Sequence, residues 1–282
     1  MKQNKEEYKK LINLYMNQGW LVNKKDALND LLALGDDQSS KNLIYSLLER
    51  FRYITNDSYR ILLNEITDYI INDSGFEKEK IQILSLTYDD DTDSSQKVLY
   101  DITNHLYSKG WRNIKTVNVF GKAVKAYNKH GKTQIIAIDE FIGSGKTLRV
   151  RHDWISKNIG GEFEIVYIFV AGIEQSINEL LEEGINIICP LQLKKGISEY
   201  YKGEELIVKQ DKMLDLELKL AEKINDKELF SYSFGYGDAQ ALYSLEDNNG
   251  NTPNSVFPIF WWLKDKEEKE RNTLLSRREN GF

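Results

Sequence analysis

Residues 135–150 read IIAIDEFIGSGKTLRV. An apolar run, two acids, two more apolar residues and a glycine-spaced turn lead into a segment with helical spacing. That is the strand–loop–helix unit of a parallel α/β sheet. The turn, GSGKT, invites comparison with the triphosphate loop G-x-x-x-x-G-K-[ST]. In that motif the first glycine falls at position 140, where this chain has Glu140. Glutamate cannot replace glycine in such a turn, and its charge opposes the phosphates, so an ATPase or kinase is disfavoured. A simpler phosphate cradle remains. Gly143 and Gly145 let the backbone approach a ligand, Ser144 and Thr147 add hydroxyl donors, Lys146 adds charge, and the helix that follows directs N–H groups at an anion. Asp139 and Glu140 need a different partner, and the hydroxyls of a vicinal diol provide one.

The surrounding chain supports the same fold class. Short apolar runs at 81–87, 114–120, 135–138, 163–171 and 185–193 alternate with amphipathic segments. This texture predicts a Rossmann-like α/β core with a parallel five-stranded sheet wrapped on both faces. The link between the second and third runs, GKAVKAYNKHGKTQ, is short and basic, and its sequence does not decide whether it forms a helix. With strand order 2-1-3-4-5, the topological switch point lies between the first and third strands. It brings together the loop YDDDTDSSQ and the loop EFIGSGKT, the two most polar loops of the region.

The first of these loops holds Asp89, Asp90, Asp91 and Asp93, then Ser94 and Ser95 at the start of a helix. A solvated acidic turn with an N-cap accounts for Asp89 and Asp90. A Ca²⁺ loop fails for want of glycine at its sixth position and glutamate at its twelfth. An Asp-x-Asp phosphatase reading of Asp91 and Asp93 leaves the GSGKT loop unexplained.

Outside the sheet, three stripes at helical spacing (Tyr8 to Met16, Leu43 to Phe51, Tyr59 to Ile70) predict an N-terminal helical region over residues 1–76. The core is expected over 77–200. A C-terminal extension over 201–282 should carry a helix near 211–224 and aromatic-rich extended segments. The 282 residues, 41% hydrophobic, suffice for a substantial core. The formal net charge of −6, with basic residues spread along the chain, argues against general nucleic-acid binding but leaves a local basic face open. One cysteine, Cys189 in the apolar INIICPL, reads as a buried inert thiol in a reducing compartment. His105, His130 and His152 show no metal spacing. No run reaches membrane-span length and the start lacks a signal-peptide h-region, so a soluble, cytoplasmic protein is expected.

The stretch IIAIDEFIGSGKTL resembles the fingerprint of type I phosphoribosyltransferases. The resemblance implies that Asp139 and Glu140 hold the ribose 2′ and 3′ hydroxyls of phosphoribosyl pyrophosphate (PRPP) or a nucleotide. Gly143 to Thr147 would hold the 5′-phosphate. Asp91, Asp93, Ser94 and Ser95 would lie in the pyrophosphate loop, with Mg²⁺ between carboxylates and ligand and Asp139 and Glu140 as its candidate ligands. Purine-salvage members place a base-directed aspartate where this chain has Gly143, which argues against ordinary purine salvage.

A closer likeness lies in LLERFRYI, the DSS of the first loop, GYGDAQALYSL and NTPNSVFPIFWW. Together these resemble the conflict-system branch, PRTase-CE, found in bacterial antiviral loci including some retrons. That likeness implies an effector or regulator in defence, with a protein or nucleoprotein partner. Members of the superfamily also build a hood over the ribose from segments outside the core. Asn251, Asn254 and Trp261 are the hood candidates, although Phe257, Phe260, Trp261 and Trp262 equally read as core.

Overall fold

The computed structural model describes residues 2–87, 94–246 and 251–277. The chain divides into two compact units, one of residues 55–193 and one of residues 1–54 with 194–282.

The unit 55–193 holds the sheet. Its strands are β1 (Ile81–Ser85), β2 (Lys115–Val117), β3 (Gln134–Ile142), β4 (Glu164–Ile173), β5 (Ile187–Ile188) and β6 (Leu191–Leu193). Its helices include α1 (Ser94–Ser108), α2 (Ala123–His130), α3 (Lys146–Asn158) and α4 (Glu174–Glu182). All strand pairs are parallel, in the order β2-β1-β3-β4-β5, with β6 also on β4. The order is the expected 2-1-3-4-5, but the strands number six. The run 185–193 is cut at Pro190, which has no N–H for the ladder. Register survives the cut: Tyr167 faces Ile187 and Ala171 faces Leu191. The basic link, undecided in the sequence, contains α2, closed by Gly131 in the left-handed conformation.

β3 runs further than its apolar residues predicted and takes in both acids. Its last residues pair with β4, through Asp139–Phe169, Phe141–Ala171 and Ile142–Gly172. On the other side β1 ends at Ser85 opposite Ile138, and Leu86 N–H donates to the Ile138 carbonyl. The carboxyl end of β3 thus extends past the end of β1 while remaining paired with β4.

The two faces are distinct. Ile135 and Ala137 of β3 join one buried cluster with Ala123 and Ala126 of α2, Leu148 and Ile155 of α3, and Ile177 and Leu180 of α4. α1 packs on β3, and the helix Asn56–Asp68 packs on α1. Every residue of β1 is buried, its two polar members included: Gln82 donates to the Ala123 and Lys132 carbonyls and Ser85 to the Asn118 carbonyl.

In the unit 1–54 with 194–282, the helices Lys2–Asn17, Lys25–Ala33, Gln38–Glu49 and Gly203–Glu217 accompany a parallel pair, Arg52–Ile54 with Tyr243–Leu245. The first helix buries Leu14 and leaves Tyr8 and Met16 of the expected stripe exposed. The helix expected near 211–224 begins earlier, where Glu204 and Glu205 occupy a first turn that favours negative charge. Among the described residues, no helix is long and apolar enough to cross a membrane.

Candidate functional site

Adjacent residues of a strand point to opposite faces, and this separates the two acids. Asp139 continues the column Ile135, Ala137 on the face covered by α2, α3 and α4, and it is half-buried. Its Oδ1 accepts the Glu140 N–H at 2.7 Å, which fixes the carboxylate at the strand's end. Glu140 continues the column Ile136, Ile138 and is 1% exposed. Its charge is felt by Tyr59, a buried residue of the helix Asn56–Asp68. Burial, reinforced by the charge of Asp101, a 3.1 Å hydrogen bond to it and the charge of Glu140, holds the Tyr59 phenol well above its ordinary pKa. Lys97 of α1 pairs with Asp101 at 2.6 Å and lies over the Tyr59 ring. The Lys97–Asp101 pair is legible as an i,i+4 spacing within α1, whereas Tyr59 joins it from another helix and left no local signal.

After Ile142 the chain turns through Gly143, Ser144 and Gly145 into α3. Gly145 sits at the N-cap with φ +72°, the left-handed region, and no side chain caps the helix. The first N–H groups of α3 have no intrahelical acceptor and Gly145 has no side chain to cap them, an arrangement that suits an anion. Gly143 and Ser144 are half-buried, and Lys146 and Thr147 are exposed on the first turn. A Cβ on Gly145 would stand 2.7 Å from Leu180 Cδ1 of α4, so close packing as well as φ requires glycine.

Arg149, quoted in the opening stretch but given no role there, backs this loop. Its Nη1 donates to the Ser144 carbonyl at 3.3 Å, while Nε and Nη2 grip Glu183 at 2.7–3.0 Å. The bidentate pair raises the Arg149 pKa and lowers that of Glu183. An arginine two residues past the motif was the available signal.

Ser94 and Ser95 open α1, Ser95 fully buried. Asp91 and Asp93 lie outside the described residues. Among the described residues, no cluster of three His, Cys, Asp or Glu side chains forms a metal site. Mg²⁺ needs only one or two carboxylates beside ligand phosphates. Asp139 fits that role; Glu140, buried on the other face, does not fit as a second ligand to the same ion.

The hood candidates belong to the other unit. Trp261 lies in its core: its indole donates to the Val256 carbonyl at 2.9 Å, and Tyr232 meets its ring edge-on at 5.7 Å. Asn254 is half-buried and its carbonyl accepts the Tyr236 N–H; Asn251 is half-buried.

The PRTase-CE family model matches residues 20–277. No curated protein matches the sequence significantly. Three solved structures are similar in part. Helicobacter pylori xanthine-guanine-hypoxanthine phosphoribosyltransferase has 10% identity, covering 51% of this chain and 85% of that one, with a TM-score of 0.32. A hypothetical protein from Neisseria gonorrhoeae with bound ppGpp has 11% identity, the same two coverages and a TM-score of 0.34. Adenine phosphoribosyltransferase from Thermoanaerobacter pseudethanolicus has 9% identity, covering 49% and 81%, with a TM-score of 0.32.

Proposed function

Because the chain belongs to the PRTase-CE family, we propose that its carboxyl-end crevice binds PRPP or a nucleotide through the ribose 5-phosphate and acts at the anomeric carbon. The observation that carries this reading is the succession, within one strand–turn–helix unit, of Asp139 and an uncapped helix start. Asp139 stands three residues before the end of β3, and the glycine turn after the strand opens α3 toward an anion. The α3 N–H groups, Ser144 and Thr147 hold the phosphate, and Lys146 neutralises it. Asp139 accepts from a ribose hydroxyl and stabilises positive charge developing on the ring. Glu140 supports the strand end from the opposite face rather than sharing the diol. Mg²⁺, held by Asp139 and the ligand's phosphates, would neutralise a pyrophosphate leaving group. The family resemblance supports a role as an antiviral effector in bacteria.

One observation favours a second reading, a non-catalytic sensor of the same ligand that regulates a protein or nucleoprotein partner. Glu140 is turned away, and Gly143 provides no acid for a base.

Calorimetric titration with PRPP and with nucleoside monophosphates, with and without Mg²⁺, tests the site. Asp139→Asn should weaken binding at least tenfold, about 1.4 kcal/mol, and leave the melting temperature within a degree or so. Equal affinity in the variant, or absence of binding in the parent, refutes the site. Pyrophosphate or base release separates enzyme from sensor. Loss of plaque protection in the Asp139→Asn strain tests the defence role.

A further inference from the structure

The link GKAVKAYNKHGKTQ has no part in the crevice, and it lies within an unusual stretch. Residues 102–138 contain seven Lys and Arg and no Asp or Glu. Their +7 against the chain's −6 leaves −13 on the remaining residues. The whole-chain charge therefore conceals a strongly basic segment.

The fold gathers this segment at one edge of the sheet. β2 is the terminal strand, and among the described residues no strand pairs with its outer edge. A cavity of about 380 Å³ lies between β2 and α2, lined by Lys115, Thr116, Asn118, Lys122, Lys125 and His130 among others. All six are exposed. Among the described residues Lys115, Lys125 and Lys129 have no ion pair. Just before β2, Tyr107 is 58% exposed with the Arg112 guanidinium 5.1 Å from its ring centre, and Trp111 is half-buried.

Lysines on an edge strand also deter edge-to-edge pairing. That accounts for Lys115 but not for Lys122, Lys125 and Lys129, which are on α2 and the turn before it. A cleft walled by one sign of charge concentrates the opposite sign. The row of lysines, with the exposed Tyr107 and half-buried Trp111 just before β2, fits a single strand, whose backbone follows a basic groove while its bases stack on rings. We infer that the β2–α2 groove binds the phosphate backbone of a single-stranded nucleic acid, with Lys115, Lys122 and Lys125 as its phosphate contacts.

Fluorescence anisotropy with the full chain and labelled short single-stranded DNA, RNA of the same sequence, and the duplex provides the test. Three contacts predict that log K falls with log salt at a slope of about −2 on a single strand. The DNA and RNA arms identify which strand is preferred. The triple variant Lys115→Glu/Lys122→Glu/Lys125→Glu should lose most of that slope and at least tenfold in affinity. The corresponding Lys→Arg variant should retain both. If the triple variant melts early, single Lys→Gln variants replace it, each expected to cost about fivefold near 0.1 M salt. Salt-independent binding, tighter binding of the duplex, or unchanged affinity in the Lys→Glu or Lys→Gln variants overturns the inference. PRPP titration of the same variants should be unaffected, so failure here is distinguishable from failure of the crevice reading.

Discussion

Gly145→Ala tests whether the phosphate turn is held by its backbone. With φ at +72°, alanine meets the left-handed penalty, about 1–2 kcal/mol. Its Cβ would stand 2.7 Å from Leu180 Cδ1 and 3.3 Å from Arg149 Nη1. Leu180 is itself fully buried, so its displacement adds strain of up to about 1 kcal/mol. Alanine also stiffens the unfolded chain, which returns about 0.4–1 kcal/mol. The net expectation is a loss of about 1–2 kcal/mol. For a unit of this size that lowers the melting temperature by roughly 4–8 °C. Differential scanning calorimetry of both proteins reads the shift. Gly160→Ala is the internal control, since a Cβ there meets nothing within 4 Å and its φ is not positive. It should be neutral or slightly stabilising. Equal shifts in the two variants, or a higher melting point for Gly145→Ala, would refute the reasoning.

Two further expectations concern buried titratable groups. The Glu217 carboxyl is pushed up to about 7 by burial, against hydrogen bonds from the Ser233 hydroxyl and the Phe234 N–H. The folded state therefore keeps a proton that the unfolded state releases near 4.5, and stability falls as pH rises from about 4.5 to 7. The loss is on the order of 3 kcal/mol. Denaturant titrations should show it in the parent and a flatter profile in Glu217→Gln; parallel profiles would count against the assignment. Cys189 is 8% exposed, and burial pushes its thiol up to about 12. It should resist an aromatic disulfide reagent at pH 8 until the protein is denatured, and prompt native labelling would contradict its placement.

The sheet was legible because its central strands β3 and β4 are buried and appear as apolar runs between amphipathic helices. Even the break at Pro190 is written in the sequence, as a residue with no donor for the ladder, although the run around it read as one strand. The acids of the site were legible by type and position. Their orientation was not: the loop-like appearance of DEFIGSG concealed that β3 continues through Asp139 and Glu140, and strand alternation then puts the two carboxylates on opposite faces of the sheet. The aromatic segment 257–262 could be read as hood or as core, and only the fold places Trp261 among Val256, Tyr232 and Arg277.

By itself the sequence determined the parallel α/β sheet and the turn that opens α3, because those follow from local periodicity and from glycine at fixed places; the strand order was an assumption that the structure bears out. Tertiary structure decided what depends on distant residues meeting. It set Tyr59 within the field of Glu140, anchored Arg149 on Glu183 and paired Arg52–Ile54 with Tyr243–Leu245. No local pattern encodes such contacts, since each is fixed by the packing of elements tens to hundreds of residues apart.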